Sequence, residues 1–172
     1  MPGFTIHIAI AKEYIEKHSE EIKQEKEFIQ GVIDPDLLSI EKHISKEITH
    51  YETPKKGKLE IDLEKFIQNK PKDCSVDYEK GYFLHLLTDS LFYTKDFKKE
   101  TQDMKAKGED FYYDYDVLNE SLMKRYQVNA LPTIQKYMGK LDGKPKYLQE
   151  EKIVQFIERV ASCDLEKERK ER

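Results

Sequence analysis

The stretch Gly81-Tyr82-Phe83-Leu84-His85-Leu86-Leu87-Thr88-Asp89-Ser90-Leu91-Phe92-Tyr93 is the most hydrophobic part of the chain. Its apolar residues occupy nearly all sides of a helix, and the pattern predicts a helix over about residues 77–97. A helix that is hydrophobic all round is normally buried. We therefore expect this helix at the centre of the fold, with the other elements packed around it.

The same stretch carries the strongest chemical signal, because His85 and Asp89 stand four residues apart. Residues at that spacing lie one above the other on a helix, so an imidazole and a carboxylate there can share one ion. An ionised carboxylate in an apolar helix is costly unless a cation or hydrogen-bond donors compensate it. A metal ion would be one such compensation. Alternatively, Asp89 accepts hydrogen bonds from a neighbouring helix and His85 is a core histidine; the pair alone leaves both interpretations open.

Helical spacing of apolar residues continues along most of the remaining chain, whereas the alternation typical of strands is scarce. The pattern predicts an all-α fold, a compact multi-helix bundle. Further helices are expected over 5–17, 20–30, 41–51, 61–68, 117–126, 132–138 and 150–162, with loops at 53–58, 69–75 and 111–116.

The segment from Gly31 to Asp36 predicts a break between two helices. Gly31 is expected just beyond the end of the first helix. Asp34 is expected to cap the second, with Pro35 as its first helical residue. Asp36 then lies in the first turn, where the helix dipole favours an acidic side chain.

Length and composition limit the class of protein. The 172 residues are expected to form one domain over 1–163 and a charged, frayed tail over 164–172. A net charge of −4 argues against a general nucleic-acid binder. Cys74 and Cys163 lack the spacing of a disulfide framework or a cysteine metal site. No apolar run reaches the roughly 20 residues of a membrane span and no secretory signal is evident, so a cytoplasmic protein is expected.

Three more residues of metal-binding type lie near predicted helix ends. His7 stands on the apolar side of the first helix, and His50 stands in the last turn of the helix over 41–51. Each has an ordinary explanation: His7 as a cap or core residue, and Asp36 and His50 as charges suited to the dipole at a helix terminus. Taken one at a time, these explanations are the simpler ones.

Taken together, the residues form a pattern: His7 near the N-terminus, Gly31-x-x-x-Pro35-Asp36, Thr49-His50-Tyr51, and the stretch over 81–93. This pattern resembles the zinc-dependent phospholipase C family over roughly residues 1–130. The resemblance implies a helical bundle of the phospholipase C/P1 nuclease type with a centre of one or two zinc ions. Iron or manganese would suit the same ligand types. The metal ligands that the resemblance implies are His7, Asp36, His50, His85 and Asp89.

The implied activity is metal-dependent hydrolysis of a phosphoester, with Asp89 as a bridge between two ions. Asp36 is the expected catalytic residue that orients or deprotonates water, and a second acid such as Asp34 is the alternative. The family name suggests a phospholipid substrate, and a soluble phosphodiester or phosphomonoester suits a cytoplasmic protein equally. Five aromatic residues either line a pocket or pack in the core: Tyr82, Tyr93, Phe111, Tyr112 and Tyr113.

The chain departs from the secreted members of that family in two ways. They hold a third zinc with two further histidines and a glutamate, but no histidine follows His85 here. They also use the amino group of a processed N-terminal residue, whereas this chain begins Met1-Pro2. At most two ions are therefore expected. Asp114 or Asp116 is either a replacement carboxylate or an ordinary loop or capping acid.

A non-catalytic metal-binding protein that serves as a structural or interaction module is the main alternative. Phosphohydrolases of the HD superfamily are also helical and use scattered histidine and aspartate ligands. They require an adjacent His-Asp pair, and none of the five histidines here is followed by aspartate. Of the three hypotheses, membership of the HD superfamily is therefore the one that the sequence favours least.

Overall fold

The hydrophobic stretch forms helix α5 (Val76–Leu91), which leads directly into a π-helical turn over Phe92–Asp96. Residues 81–89 are buried without interruption. The Ser75 side chain caps α5 by accepting a hydrogen bond from the backbone N–H of Tyr78. The prediction of a buried helix here is confirmed.

In the computed structural model, which describes residues 3–129 and 131–172, the protein is all-α. Helices make up 63% of the structure, and the described residues form only two short strands. The other helices are α1 (Phe4–Lys17), α2 (Glu25–Glu41), α3 (Lys46–Thr49), α4 (Leu63–Gln68), α6 (Lys98–Ala106), α7 (Tyr112–Arg125), α8 (Glu150–Ala161) and α9 (Leu165–Lys170), with a 3-10 turn at Gln135–Tyr137. The helices predicted over 5–17, 61–68 and 150–162 are confirmed.

The predicted break after Gly31 is wrong, because α2 runs unbroken through Gly31 and Pro35. Gly31 is needed for packing rather than for ending a helix: a Cβ there would overlap the backbone carbonyl oxygen of Tyr78 on α5. A Cβ at Gly81 would likewise overlap the carbonyl oxygen of Phe28 on α2. The two helices therefore approach at backbone distance, and Asp36 lies well inside α2 instead of in a first turn.

The predicted helix over 41–51 and the predicted loop over 53–58 are also corrected. Only the single turn α3 is helical between α2 and residue 52, and His50 follows it directly. Strands β1 (Glu52–Lys55) and β2 (Lys58–Ile61) form an antiparallel hairpin. Its two turn residues, Lys56 and Gly57, have φ of 49° and 77°, as a tight two-residue hairpin turn requires.

Three predictions in the C-terminal half are wrong. Residues 112–116 belong to α7 rather than to a loop, because Phe111 and Tyr115 pack into the core. Residues 132–138 contain only the 3-10 turn, and buried Ile134 anchors the segment. The tail is helical instead of frayed: Asp164 caps α9, and Leu165 is buried.

No helix in the described part of the chain is long and apolar enough to cross a membrane. The expected cytoplasmic location stays a prediction. Cys74 and Cys163 are both free thiols, as their spacing indicated.

Candidate metal centre

The five residues that the resemblance implied come together at the meeting point of three helices and one loop. His7 lies on α1, Asp36 on α2, His50 just after α3, and His85 and Asp89 on α5. Each is at most 2% exposed. Ligand atoms of Asp36, His50, His85 and Asp89 all lie within 4.8 Å of one another, so this buried group could bind a metal ion.

The close contact between α2 and α5 explains how Asp36 reaches the residues of α5. Asp36 Oδ1 lies 3.1 Å from His50 Nε2 and 3.8 Å from His85 Nε2. Asp89 Oδ2 lies 3.5 Å from each of the same two nitrogens. The two Nε2 atoms are themselves 3.2 Å apart. Two imidazole nitrogens and two carboxylate oxygens therefore converge on one small volume.

The outer nitrogens of His50 and His85 have partners that fix the ring protons away from the centre. His85 Nδ1 lies 2.6 Å from the backbone carbonyl of Val32, which can only accept a hydrogen bond, so Nδ1 carries a proton. His50 Nδ1 lies 2.8 Å from the hydroxyl of Thr49, which itself donates to the carbonyl of Ser45. In the neutral rings both Nε2 lone pairs then face each other and the carboxylates. A cation fits this donor set, since it would remove the repulsion between the lone pairs.

His7 adds a second side to the centre. Its ring stacks on that of His85, with centroids 3.9 Å apart and planes 6° from parallel. His7 Nε2 lies 3.0 Å from Asp89 Oδ1, yet neither atom has a hydrogen bond of acceptable geometry. Asp89 thus turns Oδ1 towards His7 and Oδ2 towards His50 and His85. The two oxygens of Asp89 therefore contact different histidines.

Electrostatics keep the two carboxylates ionised in spite of their burial. Burial alone would raise the pKa of Asp89, but His85 and His7 hold that pKa well below its ordinary value. Burial opposes ionisation of Asp36 as well; with no cation bound, the positive charge of a protonated His85, followed by a hydrogen bond from a proton on His50 Nε2, lowers the pKa, and a bound cation would take the place of both protons. Burial, followed by the charge of His85, lowers the pKa of His7, which favours the neutral, ligating form.

Part of the centre borders a cleft of about 320 Å³. His50 and Asp89 lie in its wall, together with Lys46, Tyr93 and Lys105. The cleft therefore reaches two residues of the centre, although each of them is at most 2% exposed.

Other acidic candidates take structural roles. Asp114 accepts hydrogen bonds from the backbone N–H groups of Lys146, Tyr147 and Leu148 at 2.6, 2.7 and 2.8 Å, so it anchors that segment. Asp116 lies beside Gly139 in a different pocket. Neither belongs to the group that could bind a metal ion. Asp34 accepts a hydrogen bond of 2.6 Å from the Tyr78 hydroxyl.

The aromatic residues divide between the two interpretations. Tyr82 and Phe111 are core residues, and Tyr82 also donates a hydrogen bond to the carbonyl of Thr49 beside the centre. Tyr93 lines the cleft, and Tyr112 lines the pocket that contains Asp116. Tyr113 fits neither interpretation, because it is exposed and its ring lies beneath the ammonium group of Lys146.

Sequence reasoning missed the residues that orient the histidines. Thr49 could have been noticed as the neighbour of His50, but the carbonyl of Val32 has no sequence signal because any residue supplies one. Met1 and Pro2, which bear on an N-terminal amino ligand, lie outside the described residues.

Comparison of the chain with protein-family models, with curated proteins and with solved structures gave no match. The structure is that of an all-α protein with a buried carboxylate and imidazole group that could bind a metal ion.

Proposed function

We propose that this protein is a metal-dependent phosphoester hydrolase of the phospholipase C kind, with one or two zinc ions. The observation that carries the proposal is the cleft, because His50 and Asp89 belong both to the centre and to the cleft wall. A catalytic metal site keeps a coordination position that substrate or water can reach, whereas a structural site is closed by protein ligands. The resemblance of the sequence to zinc-dependent phospholipase C supports the same reaction class.

The proposed roles follow from the contacts of each side chain. His7, Asp36, His50, His85 and Asp89 would hold the metal, and iron or manganese would suit the same ligands. A bound divalent cation would polarise a phosphoryl oxygen and lower the pKa of a water molecule. The carbonyl of Val32 and the hydroxyl of Thr49 keep the Nε2 atoms of His85 and His50 directed at that cation.

Asp36 is proposed as a ligand that also orients or deprotonates a water molecule. Its Oδ1 lies 3.1 Å from His50 Nε2, and its Oδ2 is buried without a hydrogen-bond partner. A depressed pKa keeps the carboxylate ionised but also makes it a weaker base, so orienting the water would be the larger part of this role. Lys46 and Lys105 in the cleft wall carry the positive charge that suits a phosphate group.

The substrate class proposed is a phosphodiester or phosphomonoester, with a phospholipid as one candidate. A cleft of about 320 Å³ is near the lower end of small-ligand sites, so it would enclose a phosphoryl group and a small substituent. The acyl chains of a lipid would have to remain outside it.

The test begins with elemental analysis of untagged protein and of a double variant, His85→Ala with Asp89→Ala. Both proteins are then stripped with chelator, reloaded with zinc and assayed on bis(p-nitrophenyl) phosphate, p-nitrophenyl phosphate and a short-chain phosphatidylcholine. We expect near-stoichiometric zinc and zinc-dependent turnover in the wild type only.

Zinc uptake with no turnover of any of the three esters would favour the alternative, a non-catalytic metal-binding module. Folded wild-type protein that takes up neither zinc nor manganese would refute the hydrolase proposal.

A further inference from the structure

The pocket that contains Asp116 has a volume of about 460 Å³ and is separate from the cleft beside the candidate centre. Among the described residues, none lines both the pocket and the cleft, and none of the five implied metal ligands lines the pocket. The start of α1, one face of α7 and the segment around the 3-10 turn form most of its wall. A pocket of this size can accept a small molecule, and the proposed hydrolysis makes no use of it.

The wall of the pocket is rich in aromatic rings. Tyr112 and Tyr115 stand three residues apart on one face of α7, and their rings meet edge to face with centroids 6.4 Å apart. Tyr115 is buried, whereas Tyr112 is 61% exposed and leaves an aromatic surface open to solvent. Phe4 of α1 stacks on Tyr137 of the 3-10 turn, with centroids 5.8 Å apart. Three separate elements therefore contribute rings to this pocket.

Asp116 adds a negative charge to the same wall. It follows Tyr112 by about one turn of α7, so the two side chains share a face of the helix. A Cβ at Gly139 would overlap the Asp116 carboxylate, which therefore lies directly against another residue of the wall. The carboxylate is half-buried and has no hydrogen bond or ion pair within the described part of the chain. A charge in this position interacts more strongly with a cation than one in open water does.

The lysine in the wall already has a partner. Lys136 forms an ion pair of 3.1 Å with Glu41, which does not line the pocket. Its ammonium group also lies 5.0 Å from the centre of the Tyr137 ring, so a cation–π contact is already present in the wall. Among the described residues that line the pocket, Asp116 is therefore the one charged group without a partner, and the unbalanced charge is negative.

We propose that this pocket binds an alkylated ammonium ion, with the Asp116 carboxylate as its counter-charge and the rings of Phe4, Tyr112 and Tyr115 against its alkyl groups. Aromatic rings attract cations, and an alkylated ammonium ion needs few hydrogen-bond acceptors from the wall. An anionic ligand would be repelled by Asp116. The inference does not depend on metal binding or on the proposed hydrolysis.

The experiment uses tetramethylammonium as the probe and compares it with tert-butanol, which has a similar shape but no charge. Isotope-labelled protein is titrated with each compound, with and without zinc, and its amide signals are followed by NMR. Two variants alter the wall. Asp116→Asn removes the charge of a carboxylate that has no partner to lose, and Tyr112→Leu replaces an exposed ring with an apolar side chain.

Two neighbouring substitutions on α7 are the matched controls. Glu120→Gln removes the same charge from a carboxylate that does not line the pocket and is paired with Lys140 at 2.9 Å. Tyr113→Leu removes an exposed ring that lies next to Tyr112 in the sequence but not in the wall of the pocket.

We expect tetramethylammonium to bind about tenfold more tightly than tert-butanol and to shift amide signals of residues 112–119 and 136–139. Asp116→Asn should weaken tetramethylammonium binding about fivefold, and Tyr112→Leu should weaken it about two- to fivefold. Both controls should keep the affinity of the wild type. Zinc should have no effect, since the pocket and the candidate centre share no residue.

Equal affinity for the two compounds overturns the inference, because the pocket would then be merely apolar. Unchanged tetramethylammonium binding in folded Asp116→Asn or in folded Tyr112→Leu overturns it as well. An equal loss in Glu120→Gln or Tyr113→Leu would place the bound ion elsewhere on the surface. Binding that requires zinc would assign the ion to the candidate centre, whereas a protein that takes up no zinc but binds tetramethylammonium would refute only the proposed hydrolase function.

Discussion

Among single residues, Asp89 is the one on which metal binding should depend most, because its two oxygens face His7 on one side and His50 and His85 on the other. Asp89→Asn keeps the shape but removes the charge and replaces one oxygen with a donor. We predict that zinc content after dialysis falls to about one tenth of the wild-type value or less. Elemental analysis checks this directly.

Asp114→Asn makes the same chemical change as Asp89→Asn, but we expect it to affect stability rather than zinc binding. Asp114 is as deeply buried as Asp89, but its oxygens accept three hydrogen bonds from the backbone N–H groups of residues 146–148. We predict that the free energy of unfolding falls by about 3 kcal/mol, since hydrogen bonds to a charged group are lost, while zinc content is unchanged. Urea unfolding and elemental analysis provide the two measurements. Zinc loss in folded Asp114→Asn would contradict our assignment of this residue to the scaffold.

Part of the site could be predicted from the sequence on physical grounds, and the other part only from the resemblance to a known family. The helical spacing of His85 and Asp89 fixes their common face. Nothing in the spacing of His7, Asp36 and His50 determines that they meet that face, because their approach depends on how helices pack.

At the scale of secondary-structure elements, the contact between α2 and α5 positions Asp36 against His50 and His85. We predict that Gly31→Ala and Gly81→Ala each lower the free energy of unfolding by about 3 kcal/mol, because the added Cβ would overlap a backbone carbonyl of the other helix. We also expect weaker zinc binding, since the helices must separate. Chemical unfolding of the chelated proteins and a competitive zinc titration measure the two effects.

Gly57→Ala is the control for these two variants. A Cβ at Gly57 meets nothing within 4 Å, and only its φ of 77° opposes the substitution. We therefore expect a loss of about 1 kcal/mol with unchanged zinc affinity. A similar loss of zinc affinity in Gly57→Ala would contradict our explanation that weaker zinc binding results from the separation of the two helices.

The predictions of secondary structure were correct where the helical spacing of apolar residues continues over several turns. They were wrong where a glycine or a short segment was compatible with more than one structure. α1, α5 and α8 carry sustained helical patterns, which the structure follows. Glycine is common just beyond the end of a helix, which is why Gly31 was expected there. Its actual role is to allow close packing against a helix that is distant in sequence. The hairpin over 52–61 was missed because each strand has four residues, too few for a clear alternation.

On the scale of the whole molecule, a bound metal would tie together parts of the chain that are far apart in sequence, since its candidate ligands span residues 7 to 89. At zinc concentrations about 1,000 times the dissociation constant, binding to the folded state alone would add about 4 kcal/mol of stability. For a chain of this size that corresponds to a rise in Tm of roughly 10 °C. We predict that difference between zinc-loaded and chelated wild type, measured by calorimetry.

The same stabilisation should depend on pH in a defined direction. Imidazole must be neutral to bind a cation, so protons compete with zinc, and the rise in Tm should be smaller at pH 5 than at pH 7.5. Asp89→Asn should show no zinc-dependent rise at either pH, which separates binding at this centre from binding to exposed side chains. A zinc-dependent rise of equal size in Asp89→Asn would mean that the stabilising ion lies elsewhere in the molecule.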